Sequence, residues 1–118
     1  MNRKELGALG EKKAAEYLKK KGYRIRETNF RCREGEIDII AQDKDYLVFV
    51  EVRTRTGSDF GTPEESVTAA KKDKLVSLAL AYLQTHHNVP ALWRFDVVAI
   101  EATTDGRISR IDVVRDAI

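Results

Sequence analysis

Two hydrophobic runs, close together in the chain, carry acidic residues where a strand normally buries apolar ones. The runs cover residues 35–41 and 47–55, are rich in Ile, Val and Phe, and alternate with a period of two. The intervening residues 42–45 are Gln, Asp, Lys and Asp, a composition typical of a turn. The pattern predicts a β-hairpin with Asp38 on its first strand and Glu51 on its second.

Alternation assigns the side chains of the second strand to two faces. Successive strand residues point in opposite directions, so Glu51 and Arg53 share a face. Leu47, Phe49 and Arg55 belong to the same face. The other face carries Val48, Val50, Val52 and Thr54. Because both faces begin with apolar residues, we expect the strand to be covered on both sides.

The length of the turn decides whether Asp38 joins Glu51. A two-residue turn at 43–44 or a four-residue turn at 42–45 pairs Asp38 with Phe49, which makes Asp38 and Glu51 diagonal neighbours roughly 7 Å apart. One bound cation is then within reach of both carboxylates. A three-residue turn puts the two acids on opposite faces, because a slip of one residue inverts every side chain.

A simpler interpretation of these charges is an ordinary ion pair on a solvated face, formed by Arg53 with either Glu51 or Glu36. Charged residues are mostly exposed, so this interpretation suits most single acids on strands. It is weaker here because burying an unpaired ion is expensive and the strand is apolar on both faces. We therefore expect the acids at the covered or half-covered end of the strand.

The composition, with 42% hydrophobic and 34% charged residues, suits one folded domain of 118 residues. We predict a single domain over residues 1–118. The net charge is only +2, so binding of nucleic acid requires a local concentration of cations. The single cysteine, Cys32, excludes an internal disulfide, and no stretch is apolar enough to span a membrane. These features predict a cytoplasmic protein with no membrane partner.

The remaining elements follow from periodicity and from helix signals. Apolar spacing predicts helices over residues 3–21 and about 68–84, and strands over 23–31, 94–100 and 108–114. The order is therefore helix, three strands, helix, strand and one extra C-terminal strand. The second helix is long enough for a right-handed crossover between parallel strands. The predicted fold class is α/β, with a mixed central sheet flanked by helices.

Several residues outside the hairpin carry signals of close contact. Gly7 and Gly10 are costly in the first helix, by about 1 kcal/mol each, and indicate a close approach of the sheet or of a ligand backbone. Glu11 lies at the margin of that helix's apolar stripe. Phe60, in a polar loop, either anchors the loop or meets a base.

The second helix begins with lysines where acids are preferred, which indicates either an anion partner or a solvated face. These lysines are Lys71, Lys72 and Lys74.

Short phrases along nearly the whole chain resemble the YraN-like family of uncharacterised predicted endonucleases, within the restriction-endonuclease-like (PD-(D/E)xK) superfamily. The pattern is also related to that of archaeal Holliday junction resolvases. The resemblance implies an αβββαβ core. The phrases are Gly-Glu at 10–11, Asn-Phe-Arg at 29–31, Gly-Glu-Ile-Asp at 35–38, Val-Phe-Val-Glu-Val at 48–52, Phe-Gly at 60–61 and Arg-Phe-Asp-Val-Val at 94–98.

The superfamily resemblance implies a metal-dependent phosphodiesterase. By that resemblance Asp38 and Glu51 ligate Mg²⁺ or Mn²⁺, the Val52 carbonyl is a further ligand and Glu11 assists through water. Oxygen ligands of this kind suit both cations. The resemblance therefore predicts one metal-binding site shared by the hairpin and the first helix.

One position departs from the family's pattern, because Arg53 stands where the superfamily usually has lysine. Arginine binds phosphate in a bidentate way but is a poor proton acceptor. If the lysine is only an electrostatic clamp, Arg53 suffices. If it helps to deprotonate the attacking water, the chain is slow or inactive unless Lys71 or Lys74 replaces that lysine.

The leading hypothesis is a nuclease that acts on DNA, on branched or otherwise structured substrates. The alternative is a non-catalytic nucleic-acid-binding domain that retains the nuclease fold. Related resolvases work as dimers, because a four-way junction presents two symmetry-related strands, so the resemblance favours a homodimer. In either case phosphate contacts are expected from Arg31, Arg33, Arg55, Lys71, Lys72 and Lys74.

Overall fold

A computed structural model describes residues 1–57 and 62–117, so the expectation for Phe60 lies outside the described residues. A short 3₁₀ turn covers Glu64–Ser66, directly after Pro63. The other elements agree with the predicted ones to within a few residues. They are helix α1 (Arg3–Lys20), strands β1 (Arg24–Cys32), β2 (Gly35–Asp43) and β3 (Tyr46–Thr56), helix α2 (Ala69–Thr85), and strands β4 (Leu92–Ala102) and β5 (Ile108–Val114).

The five strands form one sheet in the order β1-β2-β3-β4-β5. β3 and β4 are parallel and are connected through α2, whereas the other neighbouring pairs are antiparallel. The predicted α/β fold class, with a mixed sheet between two helices and an extra C-terminal strand, is confirmed. In the described part of the chain, neither helix is long and apolar enough to cross a membrane.

Each helix covers one face of the sheet. Ala14 and Leu18 of α1 pack in a cluster with Val48 and Val50, and Leu75, Leu78 and Tyr82 of α2 pack with Leu47 and Phe49. The predicted division of β3 into two faces is therefore confirmed. Because its two faces are buried under different helices, β3 is the central strand on which the packing of both helices depends.

The turn of the β2–β3 hairpin differs from the predicted ones. Asp43 pairs with Tyr46, so the turn consists of Lys44 and Asp45. Ile40, and not Asp38, is therefore opposite Phe49. The prediction of an Asp38–Phe49 pair was wrong because Asp43 continues the strand instead of starting the turn.

The alternation of β2 is broken at Asp38. Regular alternation would place Ile37 and Ile39 on one face, but Ile37 packs under α2 and Ile39 packs under α1. The paired ladder with β3 ends at Ile39 and Val50. In β1, Asn29 has a left-handed backbone conformation, with φ 53°. A local irregularity of this kind re-aims a side chain, and here the residue concerned is Asp38.

Gly10 is the point of closest approach between α1 and β3. A Cβ atom at Gly10 would lie 2.1 Å from Thr54 Oγ1, so only glycine fits there. At Gly7 a Cβ atom would meet nothing within 4 Å. The expected approach of the sheet is thus confirmed for Gly10, whereas the sheet does not approach Gly7, for which the alternative of a ligand backbone stays a prediction.

A buried polar network, which the sequence did not predict, lies at the other end of the sheet. Asp96 is 1% exposed. Its carboxylate accepts hydrogen bonds from the Tyr23 hydroxyl at 2.6 Å, from Arg94 Nε at 3.0 Å and from the Asp116 backbone N–H at 3.0 Å. Arg94 also donates to Asp43 at 2.8 Å. The network joins the α1–β1 connection, β2 and β4 to the segment that follows β5.

Candidate functional site

The acids predicted for a metal site lie around one cleft at the end of the sheet. The cleft has a volume of about 990 Å³ and lies between the first turns of α1 and the last residues of β3. Its lining includes Glu11, Asp38, Glu51, Val52, Arg53 and Arg55. The fold therefore brings together in one cleft residues as far apart in the chain as Met1 and Thr104.

Asp38 is held in place by the backbone of β3. Its Oδ2 accepts a hydrogen bond from the Val52 N–H at 2.8 Å. The bond joins the strands beyond the last ladder pair, where the two backbones no longer pair. Burial, followed by the neighbouring Glu51 carboxylate, raises the pKa of Asp38 to about 8, while the hydrogen bond from the Val52 N–H opposes the shift. Asp38 and Glu51 thus form an interacting pair of carboxyl groups.

Glu51 is the more deeply buried member of the pair, at 6% exposed. Lys71 Nζ, from the first turn of α2, lies 3.1 Å from Glu51 Oε2. This oxygen is buried and, among the described residues, accepts no hydrogen bond. The contact with Lys71 is therefore an ion pair without the alignment of a hydrogen bond. Of the three predicted α2 lysines, Lys71 is the one that reaches the acids.

A second group of acids lies beside Asp38. Oxygen atoms of Glu11, Glu36 and Asp38 all lie within 4.8 Å of one another. The Asn29 amide nitrogen, in the orientation that its neighbours require, donates to both Glu11 and Glu36 at 2.9 Å. Burial, followed by the charge of Glu36, raises the pKa of Glu11. Glu11 on α1 therefore lies beside the Asp38 and Glu36 carboxylates of the hairpin.

Glu36 is the residue of this group that was not assigned to the site from the sequence. The available signal was its position two residues before Asp38, but Glu36 was considered as an ion-pair partner for Arg53. In the structure its partner is Arg31, at 3.5 Å from Nε to Oε2. Glu51 pairs with Lys71. The simpler interpretation, an ion pair of Arg53 with Glu36 or Glu51, was therefore wrong.

Arg53 lines the cleft without an anionic partner. Within residues 1–57 and 62–117 it forms no ion pair, and its Nε is buried without a hydrogen-bond acceptor. A guanidinium group carries five N–H donors in a planar fork that matches carboxylate or phosphate. Arg53 is therefore free to bind an anion that enters the cleft.

The other predicted cations surround the cleft less closely. Arg55 is exposed and lines it. Arg31 is exposed and its ion pair with Glu36 brings it to the acidic group. Arg33 and Lys74 are exposed and Lys72 is half-buried, with no described contact to the acids.

A mixed five-stranded sheet between two helices, with interacting carboxyl groups in a cleft at its end, defines an α/β domain with a candidate cation site. The chain belongs to the family described as "Uncharacterised protein family UPF0102", whose model matches residues 10–100. The family membership predicted from the motif phrases is confirmed. The matched segment contains Glu11, Asp38, Glu51 and Lys71.

Similar proteins match over most of their length. A UPF0102 protein of Pelotomaculum thermopropionicum is 46% identical over 115 residues, which cover 98% of this chain and 96% of the relative. One of Symbiobacterium thermophilum is 52% identical over 105 residues, or 89% of each chain. One of Caldicellulosiruptor saccharolyticus is 42% identical over 117 residues, or 99% of each chain. These names give family membership and state no activity.

Proposed function

We propose that the protein is a metal-dependent nuclease that hydrolyses phosphodiester bonds in DNA, on branched or otherwise structured substrates. The observation that carries this proposal is the meeting of the Asp38 and Glu51 carboxyl groups where β2 leaves β3. Two neighbouring carboxylates repel each other when both are ionised, and a divalent cation between them removes that repulsion. Burial and the Glu51 charge raise the pKa of Asp38, and a cation bound to both carboxylates would lower it.

The donor set fits a hard divalent cation. Asp38 and Glu51 offer carboxylate oxygens, and Glu51 Oε2 lacks an aligned hydrogen bond. Mg²⁺ and Mn²⁺ favour oxygen ligands, and Mg²⁺ is often held by one or two carboxylates together with substrate phosphate. Asp38, Glu51 and the Val52 carbonyl are the proposed ligands, with Glu11 acting through water. Bound there, the ion would supply an activated water and neutralise charge on the phosphate.

The cations of the cleft have separate proposed roles. Arg53, which has no anionic partner in the described chain, holds a phosphate oxygen and stabilises the negative charge that develops on it. It does not accept a proton, because the guanidinium group of arginine stays charged in proteins. Lys71, which pairs with Glu51, supplies the amine that the superfamily places at position 53. The exposed Arg31, Arg33, Arg55 and Lys74, with Lys72, bind backbone phosphates.

A cleavage assay tests the proposal. Supercoiled plasmid and a synthetic four-way junction are incubated with the protein in Mg²⁺, in Mn²⁺ and in chelator. We expect cleavage only with a divalent cation, and a loss of about 100-fold or more in Asp38→Ala and Glu51→Ala. Asp73→Ala, an exposed acid on α2, is the matched control and should keep the wild-type rate. Metal-dependent cleavage that survives both site variants would exclude this cleft.

The cleavage activities of a second set of variants test the role of Lys71. If its amine replaces the missing lysine, Lys71→Gln should abolish cleavage, and Arg53→Lys added to Lys71→Gln should restore part of it. If Lys71 serves only as a counter-charge for Glu51, Lys71→Arg should remain active.

Light scattering of the protein with and without a four-way junction tests the homodimer that belongs to this proposal.

A second candidate, a non-catalytic nucleic-acid-binding domain, is favoured by one observation. Lys71 already neutralises Glu51 at 3.1 Å, so the carboxylate has a cation without a metal. This candidate predicts DNA binding that falls steeply with salt, needs no divalent cation and produces no cleavage even in Arg53→Lys. Divalent-dependent cleavage by the wild-type protein would exclude it.

A further inference from the structure

A second cleft, of about 590 Å³, lies between the β1–β2 edge of the sheet and the α2–β4 connection. Its charged lining residues are Arg24, Arg26, Lys44 and Asp45. Three cations and one anion give this cleft a net charge of +2, which equals the net charge of the whole chain. The lining of this cleft is therefore locally positive in a protein whose total net charge is small.

The two arginines converge on a neutral acceptor. Arg24 Nη2 and Arg26 Nη1 each lie 3.3 Å from the same oxygen, Gln42 Oε1. Arg26 also donates to the Asn88 carbonyl at 3.0 Å. Within the described ranges neither arginine forms an ion pair. Two like charges are thus held close together by uncharged partners, an arrangement that an anion binding between them would relieve.

The backbone around these side chains is irregular in β1 and in the β2–β3 turn. The β1–β2 pairing shifts between Ile25 and Glu27, so Arg26 is the extra residue of a β-bulge. Lys44, in the hairpin turn, has φ 54°, a left-handed conformation that lysine adopts at a cost. Bulges and strained turn residues are typical of positions that aim a side chain at a ligand.

We propose that this cleft binds a phosphate group, with Arg24 and Arg26 as the paired guanidinium donors and Lys44 as a further cation. Gln42 positions both arginines, and its amide nitrogen donates to the Lys44 carbonyl at 3.2 Å, which ties the turn to the same side chain. Gln42 lies four positions beyond Asp38 along β2, or about 13 Å, so the phosphate site is distinct from the acidic cleft. The proposal does not depend on nuclease activity. The phosphate belongs either to a free phosphate compound or to a nucleic-acid backbone.

Two probes distinguish these sources. Inorganic pyrophosphate is titrated into the protein by calorimetry at low salt, and a fluorescein-labelled 20-base-pair duplex is titrated by anisotropy. The double variant Arg24→Gln with Arg26→Gln removes the cleft charges. The double variant Lys19→Gln with Lys20→Gln removes two exposed charges at the end of α1 and is the matched control.

We expect the cleft variant to lose at least tenfold in affinity for one of the probes, relative to the control. A loss confined to pyrophosphate identifies a free phosphate compound, and a loss in duplex affinity beyond that of the control identifies a nucleic-acid backbone. Equal affinities in the two double variants for both probes would overturn the proposal.

Lys44→Gly separates binding from folding. Glycine adopts positive φ without strain, so the variant should melt at the same temperature as wild type or higher, while it binds the identified probe about threefold more weakly. If Lys44→Gly melts at or above the wild-type temperature and binds that probe as tightly as wild type, Lys44 does not contribute to the phosphate site.

Discussion

Asp38→Asn tests the electrostatics of the acidic cleft without requiring activity. The pKa of Asp38 is raised from 3.8 to about 8, by burial first and by Glu51 second. Below pH 3.8 the carboxyl is protonated in both the folded and the unfolded chain. Between these two values the folded chain retains a proton that the unfolded chain releases, so the metal-free protein becomes less stable as pH rises.

The size of the effect follows from the same shift. Each pKa unit corresponds to 1.36 kcal/mol, so the upper limit of the destabilisation at pH 7 is about 4 kcal/mol. Asparagine is neutral at every pH. Its side-chain oxygen can accept the hydrogen bond from the Val52 N–H, and its amide nitrogen can donate to Glu51, as the protonated Asp38 carboxyl does. We therefore expect Asp38→Asn to match the wild-type protein near pH 4 and to exceed it at pH 7, with a difference in melting temperature on the order of 10 °C.

Thermal unfolding in chelator, followed by circular dichroism at several pH values from 4 to 8, measures this difference. Asp73→Asn removes an exposed carboxylate and should follow the wild-type curve at every pH. Added Mn²⁺ should raise the melting temperature of the wild-type protein at pH 8 and leave that of Asp38→Asn unchanged, because a ligand stabilises only the form that binds it. A gap between Asp38→Asn and wild type that does not grow with pH would refute the electrostatic reasoning.

Three further substitutions test the packing of the fold, two of them on α1 beside the acidic cleft and one in the Asp96 network. Gly10→Ala should lower the free energy of unfolding by about 1–2 kcal/mol, because the new Cβ meets Thr54, whereas Gly7→Ala should raise it by up to ~1 kcal/mol. Urea unfolding measures both, and equal stability of the two variants would contradict the close approach of α1 to β3. Asp96→Asn should cost about 3 kcal/mol, because it removes one of the two carboxylates that pair with the half-buried Arg94. A urea midpoint within experimental error of wild type would show that this network does not stabilise the fold.

Much of the fold was predictable because its signals are local. Alternation in β3 separates Phe49 from Val50, and the structure buries these residues under different helices. The apolar stripe of α2 and the turn before β5 similarly depend on neighbours a few positions away. Long connections, such as the parallel crossover through α2, followed from element order and handedness.

The acidic site was predictable only in part. Asp38 and Glu51 do interact, as predicted, but the turn that sets their register is Lys44-Asp45, and β2 changes face at Asp38. The composition of the turn is compatible with several loop lengths, so it does not fix the register. A break in alternation costs little when a side chain accepts the hydrogen bond of the backbone N–H that loses its partner, as Asp38 does for Val52.

The sequence by itself determined that the chain folds as a mixed sheet between two helices and that acids lie on its central hairpin, because periodicity acts over a few residues. The tertiary structure alone decided that Lys71 pairs with Glu51, that Glu36 joins Glu11, and that Asp96 is buried. These contacts join side chains from different elements. Their energies depend on how helices dock on the sheet, and no pattern within a single element records that docking.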